Sequence, residues 1–176
     1  IILGGLFKIF ILVVLATLLG MLHLTIAVAM TSFLYRLLSG GAHCKAYNRC
    51  LVVSIASFLM LAYLAKLSLV LDIPPRSILF VILALALFIA VKYAPQAPYN
   101  KPIEGVKKFL FLKALSVGFI IVWFAVNSYL PVNVALASAY ALMWQSVSLT
   151  PLGQIIFSIL DGMLMKMFFW EGGEIL

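Results

Sequence analysis

The side chains that could do chemistry gather in one short polar stretch, residues 36–50. This stretch holds His43, both cysteines of the chain, Cys44 and Cys50, and three basic residues. A cysteine paired with a histidine can act on carbonyl groups, because the thiolate attacks carbon once a base has taken the thiol proton. The residue types therefore favour acyl transfer.

The spacing of His43 and Cys50 requires a break in the backbone. In one continuous helix the two residues would lie roughly 10 Å apart along the axis, beyond hydrogen-bond reach. Gly40 and Gly41 supply the backbone freedom for a bend, and Asn48 tolerates a turn. We therefore predict that one helix ends here and that a new helix begins near Cys50, where its N-terminus and the adjacent cations would stabilise a thiolate.

The elements that position this stretch must be membrane helices. Hydrophobic residues make up 66% of the 176 residues, and charged residues only 10%. The mean hydropathy of +1.23 is far above that of a water-soluble domain. A chain with so few polar residues could not cover its own core in water, whereas lipid accepts apolar side chains on every helix face. We predict an all-α, polytopic membrane bundle that forms a single domain over residues 1–176.

Apolar runs of about 17 to 25 residues mark the spans. The first residue already lies inside such a run, so we expect the natural chain to begin earlier, and we do not expect a cleaved signal peptide. Pro74 with Pro75, and Pro131, are expected to separate neighbouring helices. We predict six spans, at about 1–19, 24–38, 51–71, 76–91, 109–130 and 133–149.

The segment after Pro151 has a different pattern. Polar residues recur at helical spacing from Gln154 to Lys166, with apolar residues on the opposite face. This pattern predicts a C-terminal helix that lies in the membrane interface. A seventh span packed against the bundle is the alternative.

Charge placement orients the bundle. Two connections of the predicted topology, around residues 36–49 and 92–113, hold eight of the twelve basic residues. Both fall on one side, which the positive-inside rule makes cytoplasmic together with both termini. The net charge of +7 accompanies no nucleic-acid-binding motif, so anionic lipid is the expected partner of this surface. Lys101, Lys107 and Lys108 could also receive an acidic peptide.

The predicted location argues against two other uses of the cysteines. Thiols on the cytoplasmic side stay reduced, so a structural disulfide is not expected. His43, Cys44 and Cys50 do not have the spacing of common zinc sites, and no fourth ligand is evident, so we expect no metal and no cofactor. Cys44 shares the neighbours of Cys50 without its place at a helix start, and we interpret it as a bystander.

These residues resemble the motif of a known family. Arg36, the Gly40-Gly41 pair, His43 and Cys50 are similar in order and spacing to a motif of the accessory gene regulator B family, the membrane peptidases of peptide quorum sensing. A second block, Lys92-Tyr-Ala-Pro95 followed by Asn100-Lys-Pro102, resembles a loop that those proteins carry between later spans. Cys44 departs from the family pattern, which often has a small residue there.

The resemblance implies a cysteine endopeptidase at the cytoplasmic face of the cell membrane. It would cleave a short amphipathic propeptide with an acidic C-terminal part, similar to the AgrD propeptides, and promote closure of the remainder into a thiolactone or lactone. Cys50 would be the nucleophile and His43 the general base. Arg36, Gly40 and Gly41 would shape the site. The resemblance leaves the oligomeric state open, with a homodimer as one arrangement.

A small transporter or channel is the alternative from another class. In it the Gly40-Gly41 segment would be a re-entrant loop, and the basic residues would attract an anionic or peptide substrate. Such a protein needs polar residues along several helix interiors. The serine and threonine residues of this chain are scattered and also suit helix packing.

Overall fold

The computed structural model describes residues 2–42, 44–71, 74–96 and 103–167, and the side chains from residue 5 onward. The described residues form helices and no strand, which confirms the all-α class. The helices are α1 (Ile2–Leu18), α2 (Leu22–Ser39), α3 (Tyr47–Ser68), α4 (Pro75–Tyr93), α5 (Val106–Val126), α6 (Val132–Val147) and α7 (Pro151–Met167).

The helix boundaries follow the expected helix breakers. Gly20, with a φ of 63°, separates α1 from α2, and Pro75 opens α4. Pro131 directly precedes α6. Proline suits these positions because the first turn of a helix leaves its N–H groups without intrahelical partners. The observed helix ends differ from the predicted ends by a few residues. The difference that matters most for the site is at α3, which begins at Tyr47 rather than near Cys50.

Helices α2 to α5 are long and apolar enough to cross a membrane, with 18, 22, 19 and 21 residues. Helices α6 and α7 meet the same criterion together but bend by 92° at their junction, and the apolar part of α1 is shorter. The chain is thus a multi-pass membrane protein. The predicted count of six is an approximation, since α6 has only 16 residues. A right-angle bend fits the predicted interfacial C-terminal helix, and it fits a broken span or a re-entrant segment equally well.

Helix α6 lies at the centre of the bundle. Its alanines at 135, 137, 139 and 141 are almost completely buried. Small residues let neighbouring helices approach closely in a membrane. One apolar cluster joins α6 to α2, α4 and α5 around Tyr35, and a second joins it to α2 and α3 around Val28. Helix α6 therefore fixes the end of α2, where the polar stretch begins.

The two basic connections lie at the same end of the bundle. The backbone of Gly40, after α2, pairs with Gln96, after α4, and Ala42 bonds to Ser148, after α6. Phe80 near the start of α4 contacts Phe124 near the end of α5, so these helices are antiparallel and α5 begins at that end too. We call this the basic end of the bundle.

Candidate active site

The Gly40-Gly41 pair breaks the helix as the spacing predicted. Helix α2 stops at Ser39, and the next two residues have φ values of 72° and 129°. Side-chain-bearing residues rarely adopt these conformations, because Cβ collides with the backbone, and glycine adopts them without that penalty. The described residues between α2 and α3, 40–42 and 44–46, are not helical, so α2 and α3 are separate helices.

Backbone hydrogen bonds hold this segment against the connection after α4. The Gln96 amide donates to the Ser39 carbonyl at 2.8 Å, and the Gly41 amide donates to the Gln96 carbonyl at 3.4 Å. Gln96 closely follows the Tyr93-Ala94-Pro95 part of the second sequence block. The glycine pair of the first block therefore lies beside the described part of the second block, which ends at Pro95.

The end of α6 holds the other side of the same segment. The amide of Gln145 donates to the Gly40 carbonyl at 2.7 Å, and the Ala42 amide donates to the Ser148 carbonyl at 3.3 Å. Gln145 and Ser148 are buried. Buried amides and carbonyls that find partners in this way fix a backbone strongly, because a lost partner leaves a desolvated polar group. Sequence reasoning missed Gln145, although a glutamine inside an apolar span is itself a signal.

Arg36 also bonds to this segment. Its guanidinium donates to the carbonyl of Ala42, one residue before His43. This hydrogen bond ties the last turn of α2 to the chain that follows the glycine pair.

Cys50 lies one turn inside α3. Its amide donates to the carbonyl of Ala46 at 3.0 Å. The expectation that Cys50 opens the helix is therefore wrong. Because its amide already donates within the helix, this amide is not available to stabilise the oxyanion that forms when a carbonyl group is attacked. The charges of Lys8 on α1 and Arg36 on α2 both act on Cys50, so cations approach it from two other helices. Positive charge near a thiol favours the thiolate.

Lys8 is a second residue that sequence reasoning missed. It is the one charged residue in the first apolar run of the sequence. Its ammonium group lies 5.5 Å from the ring centroid of Phe58 on α3. Ionisable residues inside membrane helices are expensive to bury and often serve a function, so a lone lysine in an apolar run could have marked this position.

Cys44 has a different electrostatic environment from an ordinary thiol. Burial raises the pKa of the Cys44 thiol to about 11, and negative charge on Cys50 and on Asp161 adds to the effect, while Arg49 opposes it. At neutral pH this thiol keeps its proton. Because the thiolate is the reactive form of cysteine, the role of Cys44 as a bystander stays a prediction, which its labelling rate tests.

The raised pKa of the Cys44 thiol predicts that this cysteine is labelled slowly. A raised pKa means that the neutral thiol dominates below about pH 11, so roughly one thiol in a thousand is ionised at pH 8. Labelling of Cys44 by iodoacetamide, located by mass spectrometry of the digested protein, should increase about tenfold per pH unit between pH 8 and pH 10. A rate at pH 8 equal to that of a small free thiol would contradict this assignment.

Other predicted site residues lie at the basic end or outside the described part. Lys107 and Lys108 are exposed in the first turn of α5. His43 and Lys101 are outside the described residues. Within the described part of the chain, no group of three histidine, cysteine, aspartate or glutamate residues is placed to hold a metal ion.

An ion pair joins α7 to the start of α3. Arg49, the residue before Cys50, contacts Asp161 with an Nε to Oδ1 distance of 2.7 Å. Asp161 is buried, and it is 112 positions from its partner in the sequence. It was expected only as part of the polar face of an interfacial helix, so its contact with the site was not predicted.

Comparison with known proteins identifies the family of this chain. A family model described as accessory gene regulator B matches residues 1–149. The chain belongs to the accessory gene regulator B family. An accessory gene regulator protein B of Staphylococcus intermedius is 34% identical over 145 residues, covering 82% of this chain and 72% of that protein.

A second relative is an AgrB-like protein of Clostridium perfringens (strain SM101 / Type A). It is 29% identical over 154 residues, covering 78% of this chain and 71% of that protein. No solved structure matches the chain. Family membership gives the chain a role in the maturation of a quorum-sensing signal, and a peptidase-like role in the family is in keeping with the thiols at the basic end. Helix α7 lies beyond the matched residues.

Proposed function

We propose that this protein is a membrane cysteine endopeptidase that cleaves a small propeptide and promotes its cyclisation into a signal peptide. The observation that carries the proposal is the break after α2. It ends one helix at Ser39 and starts the next at Tyr47, so the chain can return between His43 and Cys50. Cations from α1 and α2 act on the thiol at that point.

The reaction follows from ordinary acyl-transfer chemistry. His43 takes the proton of the Cys50 thiol, and the thiolate sulfur attacks the carbonyl carbon of the scissile peptide bond. The carbon–nitrogen bond then breaks, and the histidine proton passes to the departing amine, which leaves with the C-terminal part of the propeptide. The N-terminal part stays attached to Cys50 as a thioester.

Cyclisation is the second half of the reaction. A thiol or hydroxyl group within the bound propeptide passes its proton to His43, which is neutral again after the first step, and attacks the thioester carbonyl, and the carbon–sulfur bond to Cys50 breaks with release of the thiolate. The product is a thiolactone when the nucleophile is a thiol, and a lactone when it is a hydroxyl. Exchange of one thioester for another changes the energy little, which suits a cysteine nucleophile. The fixed segment from Gly40 to Ala42 would help to exclude water from this intermediate.

The basic end supports binding of an acidic, AgrD-like peptide. Lys107 and Lys108 are exposed in the first turn of α5, at the same end of the bundle as Cys50. Lys101 belongs to the same proposal from its position in the sequence. Exposed lysines attract anionic lipid headgroups as well as the acidic side chains of a peptide. Both attractions would bring the propeptide to the site along the cytoplasmic surface.

The function can be tested in membranes that contain this protein and a candidate propeptide. Wild-type protein should release the C-terminal fragment, and His43→Ala should reduce the rate at least about a hundredfold, because the thiol loses its general base. Mass spectrometry of the two peptide fragments measures the cleavage. The amount of inserted protein serves as the control.

A transporter would give the opposite pattern. It would move an intact peptide without covalent chemistry, and replacement of His43 would leave cleavage by other proteases unchanged. Equal fragment release by wild type and His43→Ala would therefore contradict the peptidase proposal and favour the transporter.

A further inference from the structure

The contact between α7 and α3 has the geometry of a strong ion pair. The Arg49 guanidinium donates through Nε to Asp161 Oδ1 at 2.7 Å and through Nη2 to Oδ2 at 3.3 Å. The two side chains are only 20% and 10% exposed. Two parallel bonds from a planar guanidinium to a carboxylate fix orientation as well as distance, and partial burial protects them from screening by salt.

The junction between α6 and α7 is built to present this carboxylate. A Cβ at Gly153 would lie 2.0 Å from the Val147 carbonyl oxygen, so only glycine allows the two helices to approach this closely. The Gly153 amide donates to the Thr150 hydroxyl at 3.1 Å, which caps the first turn of α7. Phe157 contacts Trp144 of α6, with ring centroids 5.9 Å apart. Helix α7 is thus seated by a defined corner.

The start of α3 depends on a partner from elsewhere in the chain. Its first turn has no acidic residue and no side-chain N-cap. Arg49 lies in this turn and directly precedes Cys50. A helix start that has no side-chain cap and carries a cation in its first turn tends to fray. A carboxylate that contacts this turn stabilises the helix start.

We propose that Asp161 is a positioning residue: by holding Arg49 it fixes the first turn of α3 and thereby the thiol of Cys50. This inference rests on the peptidase function proposed above. It makes α7, which lies beyond the family match at residues 1–149, a working part of the site. The negative charge of Asp161 also contributes to the raised pKa of the Cys44 thiol.

Replacement of the carboxylate tests the inference in the cleavage assay. Asp161→Asn keeps the size of the side chain and removes its charge. We expect kcat to fall about ten- to a hundredfold with KM nearly unchanged, because misplacement of a reacting group affects the chemical step. Asp161→Glu should recover part of kcat, and Ser158→Ala, at an exposed position of α7, should match wild type. A wild-type kcat in Asp161→Asn would overturn the inference.

Cross-linking tests the contact without any peptidase activity. The pair Arg49→Cys and Asp161→Cys, in a protein that also carries Cys44→Ser and Cys50→Ser, should be joined by a short bifunctional methanethiosulfonate in native membranes. The pair Arg49→Cys and Ile159→Cys is the matched control and should not be joined, because Ile159 is exposed on the opposite face of α7 from Asp161. Failure of the first pair to cross-link would overturn the docking of α7 against α3. This test does not depend on whether the Asp161→Asn variant inserts into the membrane. Efficient cross-linking, together with cleavage that survives Cys50→Ser, would instead refute only the peptidase proposal.

Discussion

Cys50→Ser should abolish propeptide cleavage, with a loss of at least about a thousandfold in rate. A serine hydroxyl ionises far less readily than a thiol, and the cations that act on Cys50 are placed to stabilise a thiolate. The variant should insert normally, since the change removes no buried hydrophobic group. Release of the C-terminal fragment, measured by mass spectrometry in membranes, checks the prediction.

Cys44→Ser is the matched control for this substitution. The two thiols are neighbours, and the change in chemistry is the same at each position. We expect Cys44→Ser to keep cleavage within about twofold of wild type, because a thiol with a raised pKa is not the attacking group. Cleavage that is lost in Cys44→Ser and kept in Cys50→Ser would reverse the assignment of the nucleophile.

Gly40→Ala and Gly41→Ala should each reduce the rate of cleavage at least about a hundredfold, because the segment before His43 could no longer adopt its backbone conformation. A Cβ on Gly40 would lie 2.0 Å from the Gln96 carbonyl oxygen, which is backbone and cannot move aside alone. A Cβ on Gly41 would lie 2.6 Å from the Ser148 hydroxyl and 2.8 Å from the Gln145 amide nitrogen. Both residues also have positive φ, which alanine adopts only with strain.

Gly118→Ala provides the control for these glycine substitutions. Gly118 lies within α5, and a Cβ there would meet no heavy atom within 4 Å. Alanine is a better helix former than glycine by about 1 kcal/mol, so this variant should be at least as stable as wild type and fully active. Wild-type cleavage by Gly40→Ala would show that the glycine segment does not shape the site.

The sequence was sufficient for the features that depend on local chemistry. Apolar runs placed α2 to α5, because a span needs a fixed length of hydrocarbon-compatible chain. The break at Gly40 and Gly41 was also predictable, since the spacing of His43 and Cys50 required it and glycine permits it. The start of α3 was misplaced by about one turn because its N-cap is Ala46, which makes no side-chain cap hydrogen bond, while Asn48 resembles a turn residue.

The remaining features depend on contacts between distant parts of the chain. Gln145 bonds to Gly40 across 105 positions, and Arg49 to Asp161 across 112. Neither pair has a local pattern that names its partner, because hydrogen bonds of this kind are set by how the helices pack. The same holds for Lys8, whose closeness to Cys50 follows from the contact of α1 with α3.

Trapping of the reaction intermediate tests the assignment of Cys50 most directly. Wild-type protein incubated with a propeptide that lacks the cyclising thiol or hydroxyl should accumulate a thioester, because the second acyl transfer has no nucleophile. Mass spectrometry of the acid-quenched, digested protein should locate the N-terminal part of the propeptide on Cys50, and hydroxylamine should release it. An adduct on Cys44, or cleavage without any covalent adduct, would contradict the proposed mechanism.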